Sequence, residues 1–363
     1  MKKILYIAMP YEEGKSGISR YIEQTLDRLS GQVEVDLIMM KNDYEILQRR
    51  VDNTYNWLEL GRSQVWKGPI LSIFFHCFIL PVYCLFKDFD YVFFPAGNRR
   101  FPLVFPLKTI TMAHDFAPLH IPGKYDPFRH FYVTKVLPIF LNKANLIFTP
   151  SESTKKDLLY LCGINENKIR VNYLGFNFPK LKLEANNKKI KKKFLYVSRV
   201  EHPGKNHLSL IKSFEKLCLD EGEKFELHFV GGDWNGAEIV HEYHQQSRFR
   251  DKIFFHGHVT DEQLEKEYNT SSVFIYPSFY EGFGLPLLEA MSRGLPVISS
   301  DRGSLSEVGG SSVKYINPED HDDIKSKMKS MINSVDEQQK YIQLGFENLK
   351  RFSWEKHVNQ FPH

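Results

Sequence analysis

The nine residues Glu281-Gly-Phe-Gly-Leu-Pro-Leu-Leu-Glu289, set between the apolar runs Val273 to Pro277 and Pro296 to Ser299, limit this chain more than any other stretch. They read as strand, glycine loop, helix N-terminus and next strand, an order that belongs to an α/β sheet. Gly282 and Gly284 let the backbone turn tightly and come close to a ligand. Pro286 suits the first turn of a helix, where its missing N–H costs nothing. The N–H groups of that turn, with the helix dipole, favour a phosphate. Glu289 stands one turn beyond Leu285, where it can accept hydrogen bonds from hydroxyls of the same ligand. Anion donors flanked by hydroxyl acceptors describe a pocket for a sugar nucleotide.

The rest of the chain repeats the alternation. Lys3 to Met9 predicts a strand, Ile18, Ile22, Leu26 and Leu29 recur at helical spacing, and Val33 to Met40 predicts the next strand. Further strands are expected at Tyr91 to Phe94, Thr109 to Ala113, Leu146 to Thr149 and Ile169 to Tyr173. A second series follows at Phe194 to Ser198, Phe225 to Val230, Ile253 to His256, Val273 to Tyr276, Val297 to Ser299 and Val313 to Ile316. Between the two series, Leu181 to Lys193 turns to Asn and Lys and reads as a linker. Thr260 and Gln263 form a capping-box pattern. The chain has 363 residues, long for one domain, and two α/β domains are the natural expectation.

Hydrophobic content of 42% and charged content of 25% are those of a globular protein. Cys77, Cys84, Cys162 and Cys218 lack metal-type pairing and fit a reduced, cytoplasmic setting. The apolar start is too short for a leader and reads as a first strand. The net charge of +4 divides as +6 over residues 1–180 (23 Lys+Arg, 17 Asp+Glu) and −2 over the remainder (25 and 27). That favours an anionic membrane surface modestly. No aromatic-basic motif points to nucleic acid, and no G-x-G-x-x-G points to a dehydrogenase. Pro69 to Phe86 holds no Asp, Glu, Lys or Arg, yet His76 and Pro81 interrupt it. It reads as a buried or partly exposed helix, with peripheral membrane contact at the inner face as the alternative.

Departing diphosphate needs fixed positive charge. Ser198-Arg199-Val-Glu-His-Pro-Gly-Lys205-Asn-His207 offers it directly after the first strand of the second series. Arg199 falls at a strand's carboxyl end, where open α/β sheets gather ligands. Lys205 opens a helix, a poor place for a cation unless an anion neutralises it. Gly231-Gly232-Asp233 ends another strand and either lines the same crevice or makes a simple turn. In the first half, Gly17 stands in Gly14-Lys-Ser-Gly17-Ile-Ser-Arg-Tyr21, between a strand and a helix, and His114-Asp115 follows the strand Thr109 to Ala113. His120 has no such support. Asp88-Phe-Asp90 reads as the polar start of a strand, and Asp320, Asp322 and Asp323 as a helix N-terminus, so no metal is expected.

The Glu281–Glu289 segment resembles the E-x7-E signature of glycosyltransferase family 4, retaining enzymes of the GT-B fold. Phe255-His-Gly257-His-Val259, the Gly14–Tyr21 turn, the His114 segment and Arg351-Phe-Ser-Trp354 resemble further family segments, although Ser16 replaces a glycine and the Arg199–Lys205 spacing is one residue longer than usual. The resemblance is strong from about Leu195 to Pro318 and weak through residues 41–105. It implies two Rossmann-like doubly wound domains facing across a cleft. Residues 1–180 would form the acceptor-binding domain, 181–193 a linker, 194–345 the nucleotide-sugar-binding domain, and 346–363 a helix crossing back to the first domain. By the same resemblance Glu281 meets donor-sugar hydroxyls, Glu289 the ribose, Arg199 and Lys205 the diphosphate, and the N–H groups around Phe283, Gly284 and Leu285 phosphate oxygens. Val259 borders the base, His114 contacts the donor sugar, and Asp115 orients it or meets the acceptor. The implied activity is metal-independent, cofactor-free transfer from a nucleoside-diphosphate sugar to a glycan or lipid-linked acceptor in surface polysaccharide synthesis. A nucleotide-sugar epimerase and a non-catalytic sugar-nucleotide-binding protein are the alternatives.

Overall fold

The computed structural model describes residues 1–14, 16–59, 69–97, 104–121, 127–176, 192–222 and 224–362. They build two parallel sheets. The first has seven strands, β1 (Lys3–Ile7), β2 (Glu34–Met39), β3 (Asn56–Glu59), β4 (Tyr91–Phe94), β5 (Lys108–Met112), β6 (Leu146–Thr149) and β7 (Ile169–Val171). Their order is β3-β2-β1-β4-β5-β6-β7. The second has six, β8 (Lys192–Val197), β9 (Phe225–Val230), β10 (Ile253–Phe255), β11 (Val273–Tyr276), β12 (Val297–Ser300) and β13 (Val313–Ile316), in the order β10-β9-β8-β11-β12-β13.

Runs such as Tyr91–Phe94 and Val273–Tyr276 are buried along their whole length. Strands covered by helices on both faces need such continuous apolar runs rather than alternation. The α/β class, with two parallel sheets, is therefore as expected. β3 was not legible, because Asn56-Trp-Leu-Glu59 is short and polar at both ends. Among the described residues it pairs only with β2, at the sheet edge, where little burial is required.

Contacts group the chain into two compact units. The first comprises Met1–Leu119, Asp126–Gly175 and Ser353–His363, and the second His120–Tyr125 and Phe176–Phe352. The closing helix Trp354–Val358 thus packs in the first unit, against the helix Gly17–Leu29. There the Tyr21 hydroxyl lies 3.0 Å from His357 Nε2, and His357 Nδ1 lies 3.0 Å from the Tyr173 carbonyl. Of the expected linker, residues 181–191 lie outside the described residues, while Lys192 and Lys193 open β8.

Residues 69–85 are helical, with a π-turn at Phe75–Ile79 followed by Pro81. The same arrangement recurs where the π-turn Tyr132–Val136 precedes Pro138. A proline inside a helix lacks a donor and crowds the carbonyl one turn back, and a widened turn makes room for it. Phe75, Leu80 and Cys84 face the core, whereas Phe74, Phe78, Val82, Leu85 and Phe86 are exposed. Among the described residues no helix is long and apolar enough to cross a membrane. Asp90 anchors the start of β1, its carboxylate accepting from the Lys3 N–H at 2.8 Å. Asp320 caps the helix His321–Asn333 through the N–H groups of Asp322 and Asp323.

Candidate functional site

The strand order of the second sheet reverses between β8 and β11. Loops leaving two such strands diverge to opposite faces, and the crevice left at their carboxyl ends is where α/β sheets place ligands. Those two loops hold Arg199, Lys205, Glu281 and Glu289, or lead directly to them.

They are bound to each other. Tyr196, fully buried on β8, donates its hydroxyl to the Lys205 carbonyl at 2.7 Å and lies 3.2 Å from Ser278 Oγ. Burial raises the Tyr196 phenol far above its ordinary value, so it stays a neutral donor. The Phe279 N–H donates to the Gly204 carbonyl at 3.0 Å, and Asn206 Nδ2 donates to the carbonyls of Pro277 (3.2 Å) and Pro318 (2.7 Å). On this frame Lys205 Nζ lies 2.6 Å from Glu281 Oε1, each side chain about 13% exposed. Next in line, His207 is buried against Tyr196 and Phe229, and burial holds its imidazole down at about 3, hence neutral.

Two helices open at this crevice, His207–Glu221 and Leu285–Ser292. Their N-caps, Asn206 and Gly284, are both left-handed and neither supplies a side-chain cap. By contrast, Thr260, Asp320 and Ser334 cap other helices of this unit with side-chain oxygens. A side-chain cap occupies the N–H groups an anion would otherwise meet. Leu285 begins the second of these helices. Phe283 buries its ring against Phe352, 5.6 Å between centroids, which leaves only its backbone for a ligand.

Glu281 is placed by residues the sequence did not single out. Its carbonyl accepts from the Ser304 N–H (3.1 Å) and Ser304 Oγ (2.9 Å). Gly303, at φ +60°, lies against it so closely that a Cβ there would stand 2.7 Å from the Glu281 oxygen. Glu289 Oε2 accepts from the Tyr268 hydroxyl at 2.9 Å, and the Arg293 guanidinium covers the Tyr268 ring at 4.6 Å.

Arg199 is about half exposed, with its guanidinium 4.6 Å from the centre of the Trp234 ring and 3.9 Å from Glu201 Oε2. Trp234 arrives by an extension of the strand pairing. The Val200 N–H donates to the Gly232 carbonyl and the Trp234 N–H to that of Val200. Gly231 makes this possible, since a Cβ there would sit 2.0 Å from the Ser198 carbonyl oxygen. Val259 lies beyond β10 and borders a cavity of about 280 Å³ shared with His256, His258, Gln263, Lys266 and Glu267.

The remaining candidates belong to the first unit. Gly17 opens the helix Gly17–Leu29 behind the N-cap Ser16, and a Cβ on it would meet nothing within 4 Å, so internal packing does not demand glycine there. His114 Nε2 lies 2.7 Å from the Pro95 carbonyl after β4, and its ring meets Tyr21 edge-on at 4.9 Å. Asp115 Oδ1 accepts from the Ala117 N–H at 3.2 Å.

Residues 15–178 match the family described as Glycosyltransferase Family 4, and residues 178–347 the family described as Glycosyl transferases group 1. O-antigen chain mannosyltransferase B of Escherichia coli is 25% identical over 376 residues, spanning 99% of this chain and 98% of the relative. O-antigen chain mannosyltransferase RfbU of Salmonella typhimurium is 27% identical over 248 residues, 67% of either chain. Among solved structures, Anabaena HepE in complex with UDP and glucose matches with a TM-score of 0.74 over 99% of this chain and 98% of that one. At 16% identity this likeness speaks for the fold.

Proposed function

Because this chain belongs to glycosyltransferase family 4 and has the GT-B fold, we propose that it transfers mannose from a nucleoside-diphosphate mannose to a growing surface glycan, releasing the nucleoside diphosphate, with retention at the anomeric carbon and without a metal. The observation that carries the donor assignment is the Lys205–Glu281 contact at the reversal of the second sheet. It sets a cation and a hydroxyl acceptor side by side between two helix N-termini that have no side-chain cap.

In this reading the diphosphate takes the two helix N-termini, Lys205 and Arg199, and their charge stabilises it as it departs. Glu281 holds the sugar hydroxyls and Glu289 the ribose, while Gly231 and Val259 border the nucleotide. No carboxylate is assigned as nucleophile. The departing phosphate assists attack on the face it leaves, which gives retention. The first unit binds the acceptor, with Gly17, His114 and Asp115 as its assigned contacts. Mannose as the sugar follows the names of the two relatives.

A lipid-linked acceptor and a peripheral position on the membrane are supported by the exposed apolar side chains of residues 73–86. A thermal-shift screen of UDP-, GDP- and dTDP-sugars tests the donor, since a ligand that binds the folded state raises its apparent stability. Transfer is then measured with the stabilising donor and a lipid-linked acceptor, and the anomeric configuration is read from the product. A mannosyl donor that stabilises the protein and gives a product of unchanged configuration is the expected result. Transfer of another sugar, or inversion, overturns the proposal.

A further inference from the structure

In the second unit, beside the cavity that Val259 borders, three metal-ligating groups converge. His228 of β9, His256 just beyond β10 and Glu267 of the helix Asp261–Thr270 come together from three elements. Their facing atoms form a triangle. His228 Nδ1 is 2.8 Å from His256 Nε2, His228 Nδ1 is 3.4 Å from Glu267 Oε2, and His256 Nε2 is 3.7 Å from that same oxygen.

Those separations suit a shared ion. Nitrogen and oxygen ligands about 2.0–2.1 Å from tetrahedral zinc lie roughly 3.3–3.4 Å apart, a value inside the range of the three edges. The outer partners suit it as well. Glu226 Oε2 lies 3.3 Å from His228 Nε2 and accepts from it in the Nε2–H tautomer, which leaves the Nδ1 lone pair facing the other two groups. A carboxylate behind a ligating histidine is the usual device for orienting the ring and raising its basicity. Glu267 faces both imidazoles with Oε2. Lys193 Nζ approaches the same Oε2 to 2.5 Å and Thr270 Oγ1 to 3.1 Å. A carboxylate oxygen has two lone pairs, and the lysine takes one.

We propose that His228 Nδ1, His256 Nε2 and the Glu267 carboxylate form a binding site for a divalent ion of the zinc class. Two imidazoles and one carboxylate select zinc, cobalt or nickel over the hard ions magnesium and calcium. The 280 Å³ cavity bordered by His256 and Glu267 leaves room for water in the fourth position. The ion ties β9, the loop after β10 and the helix Asp261–Thr270 together. That helix also carries Tyr268, which holds Glu289, so the ion steadies one wall of the second unit.

The test uses the full chain, freed of metal with a chelator and titrated calorimetrically with zinc chloride without any sugar nucleotide. Cobalt provides a visible absorption readout of tetrahedral coordination. One equivalent of zinc bound per chain, a raised Tm and an intense cobalt spectrum are expected. His256→Ala and Glu267→Gln each weaken binding at least tenfold, and Glu226→Gln, which keeps all three ligands, weakens it about 10–100-fold. His256 lies on an exposed loop, so its variant reports binding without a folding defect. Absence of stoichiometric binding at micromolar zinc, or binding undiminished in both His256→Ala and Glu267→Gln, overturns the site. Neither result bears on the transferase reading, because no donor is present.

Discussion

Lys205 Nζ and Glu281 Oε1 stand 2.6 Å apart, joining the loop after β8 to the loop after β11 in one ion pair. In the free protein each charge is the other's partner, and neither side chain is more than about 13% exposed. Replacing Glu281 therefore leaves the Lys205 ammonium poorly compensated. Glu281→Ala is expected to destabilise the free protein by about 1–2 kcal/mol, less than the roughly 3–5 kcal/mol for a wholly buried pair. A bound diphosphate supplies Lys205 with a new anion, so saturating nucleoside diphosphate recovers part of the Tm loss. Transfer nevertheless collapses, because the sugar hydroxyls have lost their acceptor. Lys205→Ala shows the complementary pattern. Donor affinity falls about 10–100-fold, the equivalent of one charge-assisted hydrogen bond. Thermal shifts with and without nucleotide, beside initial transfer rates, check both variants. Unimpaired transfer by Glu281→Ala would remove the donor site from this crevice.

Gly303 offers a test that touches no charge. Its φ of +60° and the 2.7 Å between a built Cβ and the Glu281 carbonyl oxygen leave no space for a side chain. Gly303→Ala is expected to cost about 1–3 kcal/mol in strain and to displace the Glu281 backbone. Transfer should fall at least tenfold while Arg199, Lys205 and Glu289 remain in place. Unfolding by denaturant gives the first quantity and steady-state kinetics the second.

The sequence carried the sheets and the residue types of the crevice, but not the contacts that hold them. Val273–Tyr276 and Phe225–Val230 are legible because a strand covered on both faces must be continuously apolar. The Thr260–Gln263 capping box is legible because both partners lie within one turn. Gly303 and Ser304 are not, since what fixes their role is the carbonyl of Glu281, over twenty residues earlier and on another strand's loop. Trp234 escapes notice for a related reason. It reaches Arg199 only because Gly231 lets the loops after β8 and β9 pair beyond the strand ends. His228, His256 and Glu267 lack any ligand spacing along the chain and meet only once β9, β10 and the following helix are assembled.

The exposed apolar side chains of the helical stretch 69–85 and of Phe86 give a prediction about surfaces. Phe78, Leu85 and Phe86 are 56%, 70% and 80% exposed, so charged substitutions there leave the core intact. If these residues enter an acyl layer, each buried large side chain contributes about 1.5–3 kcal/mol at most. Phe78→Asp combined with Leu85→Asp should then reduce binding to vesicles containing anionic lipid at least tenfold. Transfer to a water-soluble acceptor should be unchanged. Vesicle flotation measures the first and a soluble-acceptor assay the second. Equal flotation of the parent and the double variant sinks the membrane reading.

Acid should loosen the closing segment of the chain first. His357 is buried between Tyr21 and the Tyr173 carbonyl, and burial holds its imidazole at about 4, well below the ordinary histidine value. The fold therefore holds the neutral form, while the unfolded chain takes up a proton near pH 6.5. Between these values the unfolded state binds more protons, so stability rises with pH. The contribution is complete above about pH 6.5 and is lost progressively as pH falls toward 4. It amounts to the order of 3 kcal/mol at most. His207, buried and held at about 3, adds a loss of the same sign in the second unit. His357→Asn lacks the titrating ring and should show a shallower decline of Tm from pH 6.5 to 4.5, together with a lower Tm at pH 8 from the lost packing. Urea unfolding across that pH range checks the slope. An identical slope for parent and variant would place the acid sensitivity elsewhere.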